Sequence, residues 1–461
     1  MKYISHLSLL FSLLILAACS AHYPVNSGIT EVNLGEGFRP QSTSAGGRSE
    51  ELSVILSFSG GGTRAAAFSY GVLEALREIT ININGNERRL LDEIDSISSV
   101  SGGSFTAAYF ALFGDQIFEN FEHGFLKRNV EGHLKGAIWN PANMLKLGSG
   151  YYGRSELAAD YYDEILFHGK TFGDILDRGG PFIRINASDI SLGAQFIFTQ
   201  GMFDLLCSDI LSFPVSRAVA ASSAVPVLFS SVTIENFAGT CDYEIPGFLK
   251  KALANRESNP RGYYLAKKYT EYLNREEKPY VHLYDGGLTD NLGVRPLITI
   301  LSLAGDAWLA AKLTGNERLR KMLIIVVNAK AELDTRINKL GSSVPLMATI
   351  TGASAIPLNE YSIETMLAMK KMLIEFDGQI AEGRCAEFKE QGKPLAGCDD
   401  MQHYLVEIDL DRLTDLEKGK ALKQLPTSFV LEAGQVDELR QAARTILQES
   451  SEFQRFLNDM N

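Results

Sequence analysis

Basic residues are scarce in this sequence: 44 lysines and arginines stand against 56 aspartates and glutamates, which gives a formal net charge of −12. Such a surface repels polyanions, so nucleic acid is excluded as a main partner. Long apolar runs are scarce too. No stretch after residue 18 approaches the roughly 20 apolar residues that a membrane-spanning helix requires. The rest of the composition, 45% hydrophobic and 22% charged, is that of a globular protein with a large core.

The N-terminus has the pattern of a secretory signal peptide over residues 1–18. Lys2 is the only formally charged residue there, and residues 7–18 are all Leu, Ile, Phe, Ala or Ser. As a helix this run would cover only about 18 Å, whereas the hydrocarbon core of a bilayer is about 30 Å thick. The run therefore predicts an export signal rather than a permanent spanning helix.

The signal ends in the run Leu16-Ala17-Ala18-Cys19, which resembles the bacterial lipobox. The resemblance implies that Cys19 is lipidated and becomes the mature N-terminus; the alternative is an ordinary cleavage site that precedes a cysteine. Because Ser20 rather than Asp follows, it also implies an outer-membrane lipoprotein that faces the periplasm. Residues 19–51 are rich in Ser, Gly, Asn and Pro and predict a lipidated flexible tether.

Four further cysteines, an even number in an exported chain, make disulfides plausible. Three pairings are possible, and the short separations favour Cys207 with Cys241 and Cys385 with Cys398. A zinc site is the weaker interpretation, because no Cys-x-x-Cys pair and no histidine cluster accompany these residues.

From residue 52 onward, short apolar segments of strand length alternate with helical segments. Strands are predicted at residues 52–58, 94–100, 182–187, 195–198, 280–284, 322–328 and 404–410. This alternation predicts an α/β fold whose sheet is covered by helices on both faces.

Two segments, 118–150 and 333–400, read as insertions over the sheet. The second is predicted to be helical. Its Met366, Met369 and Met372 could line a greasy channel, but their helical spacing favours core packing.

A serine lies where a predicted strand gives way to a helix, in Ser99-Val100-Ser101-Gly102-Gly103. A sharp turn at this place can present the serine hydroxyl above the sheet edge, which makes Ser101 a candidate nucleophile. The flanking Gly102 and Gly103 suit the close approach of strand and helix. Ser99 stands where glycine is usual, and the strict Gly-x-Ser-x-Gly motif is absent; the alternative is a polar turn that caps a helix.

Two glycine-rich turns complete the set. The first, Gly60-Gly61-Gly62-Thr63-Arg64, offers unobstructed backbone amides at a helix N-terminus, as an oxyanion hole requires. The alternatives for this segment are a plain turn or a phosphate loop, but the segment lacks the Gly-Lys-Ser/Thr ending of a phosphate loop.

The second glycine-rich turn, Asp285-Gly286-Gly287, follows a predicted strand. Asp285 is a candidate base for the serine proton, or an aspartate that stabilises its own turn.

In chain order these three motifs are the glycine-rich loop, the serine turn and Asp-Gly-Gly, and in this order they resemble the patatin-like phospholipase family. The resemblance is strongest over residues 52–328, and it includes the segments 186–189 and 221–229. It implies a three-layer α/β/α domain over residues 52–461, a catalytic dyad of Ser101 and Asp285, and an oxyanion loop formed by Gly60, Gly61, Gly62 and Arg64.

The resemblance also implies the reaction: hydrolysis of phospholipid or lysophospholipid acyl esters through an acyl-enzyme, with no metal or cofactor. A lone carboxylate at its ordinary pKa of about 3.9 is a weak base, so Asp285 is expected to be desolvated. Acyl transfer to another acceptor and a non-catalytic lipid- or partner-binding role are the alternatives. A histidine triad is disfavoured, because His282 faces away from Asp285 on its strand and His403 precedes its strand.

Overall fold

The computed structural model describes residues 26–43, 47–332, 338–339 and 341–460. The predicted signal peptide and Cys19 lie outside these residues. The strands of the described part are, in chain order, β1 (Ser27–Gly28), β2 (Leu52–Phe58), β3 (Thr80–Ile83), β4 (Asn86–Arg89), β5 (Ile94–Val100), β6 (Phe182–Asp189), β7 (Ala194–Phe198), β8 (Ser208–Asp209), β9 (Val232–Glu235), β10 (Tyr280–Asp285), β11 (Lys321–Asn328) and β12 (Gln402–Asp409).

The α-helices of the same residues are α1 (Pro40–Thr43), α2 (Gly62–Arg77), α3 (Gly102–Phe113), α4 (Ile117–Phe121), α5 (Val130–Ile138), α6 (Pro141–Leu147), α7 (Arg154–Tyr162), α8 (Phe172–Arg178), α9 (Gln200–Leu205), α10 (Val215–Ser222), α11 (Gly247–Ala254), α12 (Pro260–Thr270), α13 (Gly287–Asp290), α14 (Arg295–Ala304), α15 (Ala307–Thr314), α16 (Leu346–Glu390), α17 (Leu416–Lys423), α18 (Ala433–Glu449) and α19 (Ser451–Met460).

Eight of these strands form one sheet in the order β12-β11-β2-β5-β6-β10-β9, with β7 paired to β6. The five strands from β12 to β6 are parallel to one another. In contrast, β7, β9 and β10 are antiparallel to their neighbours. The prediction of an α/β fold with a mostly parallel sheet is therefore confirmed.

Both faces of the sheet are buried, as strand β11 illustrates. Leu323, Ile325 and Val327 belong to a core with residues of α2, α3 and α18. The alternate residues Met322, Ile324 and Val326 belong to a second core with α14, α15 and α16. Because successive side chains of a strand point to opposite faces, one apolar strand serves both cores and the fold has three layers.

Strands β5 and β10 approach each other head to head along one edge of β6. Strand β5 runs parallel to β6 and ends with Val100 beside Asn186. Strand β10 runs antiparallel and ends with Asp285 beside Ala187. The hairpin partner β7 pairs continuously with residues 185–189 and so occupies the other edge. The carboxyl ends of β5 and β10 therefore meet next to the middle of β6.

Part of the segment that was predicted to be a flexible tether is ordered, because residues 26–43 pack against the folded domain. Strand β1 pairs with β8, and the Asn26 side chain donates to Ser208 Oγ at 2.7 Å. Phe38 is fully buried and its ring contacts Phe172 and Phe182. Arg39 pairs with Asp204 at 2.7 Å. These contacts join residues that are far apart in the chain, so the composition of residues 19–51 could not predict them.

The second predicted insertion contains the 45-residue helix α16. Met369 on this helix is 1% exposed and packs in the second core, and Met366 and Met372 lie against that core, as the core interpretation expects. Within the described residues, no single helix has both the length and the apolar character of a membrane span; α14 and α15 meet these criteria only as a pair bent by 109°.

Candidate active site

Ser101 occupies a strained turn between β5 and α3. Its backbone angles are φ 48° and ψ −120°, a conformation that costs a non-glycine residue about 1–3 kcal/mol. The turn directs Ser101 Oγ to Asp285 Oδ2 at 2.9 Å. The strain is balanced by the pairing of β5 on both edges, because its neighbours β2 and β6 fix the strand that enters the turn.

The glycines after Ser101 are required by backbone contact. A Cβ on Gly102 would lie 2.0 Å from Gly62 O, and a Cβ on Gly103 would lie 2.7 Å from Ser59 O. The serine turn and the turn after β2 therefore touch without room for side chains. Ser99, the departure from the usual glycine, is fully buried, and its Oγ has no hydrogen-bond partner within the described part of the chain.

Asp285 lies at the end of β10 and is held by two hydrogen bonds. Its Oδ1 accepts from the Gly287 N–H at 2.8 Å, while Oδ2 accepts from Ser101. Burial raises the pKa of Asp285 to about 6, against the smaller opposing effect of these bonds. Gly286 is required here because a Cβ would lie 2.2 Å from Asn186 O.

A second serine, Ser222, holds the backbone of the first. The Ser101 N–H donates to Ser222 Oγ at 2.9 Å, and Ser222 Oγ donates to Asn186 O at 2.6 Å. Because a hydroxyl has one proton, Ser104 Oγ, 3.0 Å from Ser222 Oγ, must be the donor in that pair. Ser222 was not singled out from the sequence. Its only signal was its place in the 221–229 segment that resembles the family.

Asn291 was also missed by the sequence reasoning. A Cβ on Gly60 would lie 2.4 Å from Asn291 Oδ1, and a Cβ on Gly287 would lie 3.1 Å from the same atom. The Asn291 carbonyl also accepts from the Gly60 N–H at 2.9 Å. Asn291 thus joins the glycine-rich loop to the Asp285 turn. No sequence signal other than its nearness to Asp285 could have found it.

Some backbone N–H groups of the glycine-rich loop donate a hydrogen bond, and others have no acceptor among the described residues. Gly60 donates to Asn291, whereas Gly61 and Gly62 have no acceptor for their N–H groups among the described residues. The Gly102 N–H likewise has no acceptor in that part of the chain, and a Cβ on Gly102 would lie 2.7 Å from Gly62 N. Free amides of two adjoining turns therefore lie beside Ser101.

The side chain of Arg64 was expected to take part in the oxyanion loop, but its contacts lie elsewhere. Its guanidinium donates to Ala329 O at 3.0 Å, to Leu425 O, and to Thr427 Oγ1 at 3.1 Å. Burial lowers the pKa of Arg64 to about 10. With its donors engaged by these groups, Arg64 fixes the start of α2 rather than facing the serine.

Neither predicted competitor for the base reaches the site. His282 Nδ1 lies 2.9 Å from Thr233 Oγ1, and His403 Nδ1 lies 3.0 Å from Asp377. Within the described residues, no histidine bonds to Ser101 or Asp285, and no group of three or more potential metal ligands occurs.

The disulfides Cys207–Cys241 and Cys385–Cys398 form, in the pairing that the short separations favoured.

A buried serine at a strained strand-to-helix turn, bonded to an aspartate above a mostly parallel sheet, defines a class of α/β proteins with a Ser/Asp pair. Residues 56–298 match the patatin-like phospholipase family, and the chain belongs to this family. No curated protein matches it. Among solved structures, human GIVD cytosolic phospholipase A2 is similar with a TM-score of 0.46 and 11% identity, over 94% of this chain. The chain spans 65% of the length of that protein.

Proposed function

We propose that the protein hydrolyses acyl esters of phospholipids or lysophospholipids, with Ser101 as nucleophile and Asp285 as base. The observation that carries this proposal is the hydrogen bond of 2.9 Å between Ser101 Oγ and Asp285 Oδ2. Both residues lie within the range 56–298 that matches the family.

In the proposed reaction, Asp285 accepts the Ser101 proton as Oγ bonds to the ester carbonyl carbon. The oxyanion collapses, the alcohol leaves with the proton from Asp285, and an acyl-serine remains. Water then attacks this ester, gives its proton to Asp285, and releases the fatty acid while Ser101 recovers its proton. A pKa of about 6 suits this role, because Asp285 is still mostly ionised at pH 7 yet more basic than an exposed aspartate.

The free N–H groups of Gly61, Gly62 and Gly102 are the proposed oxyanion donors. Gly102 directly follows Ser101, and a Cβ on Gly102 would lie 2.7 Å from Gly62 N, which follows Gly61. None of the three N–H groups has an acceptor among the described residues. Amides held in this way need no reorganisation when the negative charge develops.

Exposed apolar side chains near the site support a lipid substrate. Val227 and Leu228 are 56% and 57% exposed and closely follow Ala224, whose carbonyl accepts from the Asp285 N–H. Val227 has φ 73°, a rare conformation for a β-branched residue. Leu288, directly after Gly287, is 37% exposed. A rim of this kind suits contact with acyl chains rather than a polar substrate.

The test is to incubate the purified protein with mixed membrane phospholipids and lysophospholipids, and to identify the products by mass spectrometry. Ser101→Ala and Asp285→Asn should each lower hydrolysis by at least about a thousandfold, and the double variant should be scarcely worse than either. Ser69→Ala removes a similarly buried hydroxyl outside the site and is the matched control. His403→Asn should also keep its activity.

The same experiment separates the alternatives. Acyl transfer would yield acylated acceptor in place of free fatty acid, and a binding protein would yield no product. Loss of all activity in a folded His403→Asn variant would replace the dyad by a triad. Full activity in folded Ser101→Ala would refute the site assignment.

The proposed location is the periplasmic face of the outer membrane, with the protein tethered by acyl chains on Cys19. The lipobox-like run at residues 16–19 supports this proposal. The net charge of −12 also favours a lipid tether, because an acidic body does not adhere to anionic headgroups by itself.

A further inference from the structure

A cavity lies on the second face of the sheet, between the strands and helices α14, α15 and α16. The centres of water-sized molecules can occupy about 110 Å³ of this cavity, which is several times the roughly 10–15 Å³ that a single water requires. Neither Ser101 nor Asp285 lines it. It extends along the strands from the level of Ser53 to the level of Ser57, or about 13 Å at the rise of a β-strand.

The two sides of this cavity differ in polarity. The strand side is unusually polar for a buried parallel sheet and carries Ser53, Ser57, Ser96, Ser98 and Arg184. The helix side is apolar and is formed mainly by Leu297, Ile300, Leu301, Met369 and Phe376. An amphiphile with one polar end matches such walls better than a wholly polar or wholly apolar molecule.

Arg184 is the unusual member of the polar side. It is the third residue of strand β6, and its guanidinium lies 4.7 Å from the centre of the Phe182 ring. Within the described residues it has no hydrogen-bond or ion-pair partner for its guanidinium. Burial alone lowers the pKa of Arg184 to about 10. Arg184 is only half-buried, because it lines the cavity. A largely desolvated guanidinium with no anion beside it is costly, and this favours a ligand that supplies one.

The other charges in the cavity do not neutralise Arg184. Arg48 Nε lies 3.4 Å from Asp95 Oδ1, and Asp95 Oδ2 accepts from the Val54 N–H at 2.9 Å. Arg48 therefore has a carboxylate partner, whereas Arg184 has none among the described residues.

We propose that this cavity binds a single-chain fatty acid, with the carboxylate on Arg184 and the alkyl chain against Leu297, Ile300 and Met369. A guanidinium binds a carboxylate through two parallel hydrogen bonds, and the apolar helix side takes the chain. The site is separate from the Ser101–Asp285 pair and does not depend on the proposed hydrolysis.

Binding is measured by displacement of fluorescent parinaric acid, with laurate and with uncharged dodecanol, on the full-length protein. Because charge-assisted hydrogen bonds to a carboxylate are stronger than those to a neutral hydroxyl, the wild type should bind laurate at least about tenfold more tightly than dodecanol. Arg184→Met should remove this preference. Arg318→Met, which removes a guanidinium that is 78% exposed, is the matched control and should retain it.

Thermal unfolding supplies the second readout. Laurate should raise the melting temperature of the wild type and of Arg318→Met but not of Arg184→Met. Without ligand, Arg184→Met should be at least as stable as the wild type, because it removes a desolvated charge that has no anionic partner among the described residues. Equal binding of laurate and dodecanol by the wild type would overturn the proposal, as would a ligand-free Arg184→Met that unfolds readily, since Arg184 would then be structural. Ser101→Ala protein should bind laurate and be stabilised by it as the wild type is. A failure of the hydrolase proposal would therefore leave these binding results unchanged.

Discussion

At the scale of single residues, the proposed base Asp285 is buried, and burial opposes its charge. Its folded pKa of about 6 exceeds the value of 3.8 expected without burial. Between these pH values the folded protein binds more protons than the unfolded chain, so stability falls as pH rises from about 4 to about 6. Above that window the ionised Asp285 costs up to about 3 kcal/mol.

Asp285→Asn should therefore be inactive yet more stable than the wild type at pH 7.5, by up to about 3 kcal/mol, because it removes the buried charge. The difference should vanish below about pH 4, where Asp285 is protonated in both states. Urea unfolding of both proteins at the two pH values measures it. A variant less stable than the wild type at pH 7.5 would mean that the charge stabilises the fold.

The same pKa predicts the acid limb of the activity profile. The kcat/KM for a soluble ester should fall about tenfold per pH unit below pH 6, as Asp285 becomes protonated in the free enzyme. Stopped assays on protein known to remain folded at each pH measure this. A limb centred near pH 4 would indicate that Asp285 is not the desolvated base.

Gly102 and Gly136 form a matched pair of helical glycines. A Cβ on Gly102 would lie 2.0 Å from Gly62 O, whereas a Cβ on Gly136 would meet nothing within 4 Å. Gly102→Ala should lose about 1–3 kcal/mol of stability and most activity, because the two turns must separate. Gly136→Ala should stay within about 1 kcal/mol of the wild type. Urea midpoints and fluorophosphonate labelling rates test both; similar behaviour of the two variants would contradict the predicted contact.

At the scale of elements, much of the framework could be predicted from the sequence. The strand predicted at residues 280–284 is Tyr280–Asp285, and that at 322–328 is Lys321–Asn328, because apolar runs of strand length are local signals. The strand-end positions of Ser101 and Asp285 followed from the same signals. Two features could not be predicted in this way. One is the reversed direction of β10. The other is the set of partners of Arg64, because Arg64 and Leu425 are 361 residues apart.

The disulfide between Cys385 and Cys398 ties the end of α16 to the segment before β12, across a separation of 13 residues. Closing a loop of this size should contribute about 3 kcal/mol, because it restricts the unfolded chain. Replacing both cysteines by serine should therefore lower the free energy of unfolding by about that amount in urea. Removing Cys207–Cys241, with a separation of 34, should cost slightly more. A Cys385/Cys398 double variant as stable as the oxidised wild type would contradict the prediction.

At the scale of the whole molecule, the membrane attachment is predicted to depend on Cys19. Cys19→Ser should move the protein from the membrane pellet to the soluble periplasmic fraction, because the acyl chains are lost. Hydrolysis of detergent-dispersed substrate should be unchanged, since Cys19 precedes the folded body. Equal membrane retention of the variant and the wild type would refute the lipid tether.

The head-to-head meeting of β5 and β10 makes catalysis a late product of folding. Ser101 and Asp285 are 184 residues apart in the chain, and neither strand can place its residue until β6 has paired with both. Contacts of such long range form slowly. A nascent or unfolded chain therefore lacks the paired Ser101 and Asp285, and the proposed hydrolysis should begin only after the last of these strands has docked.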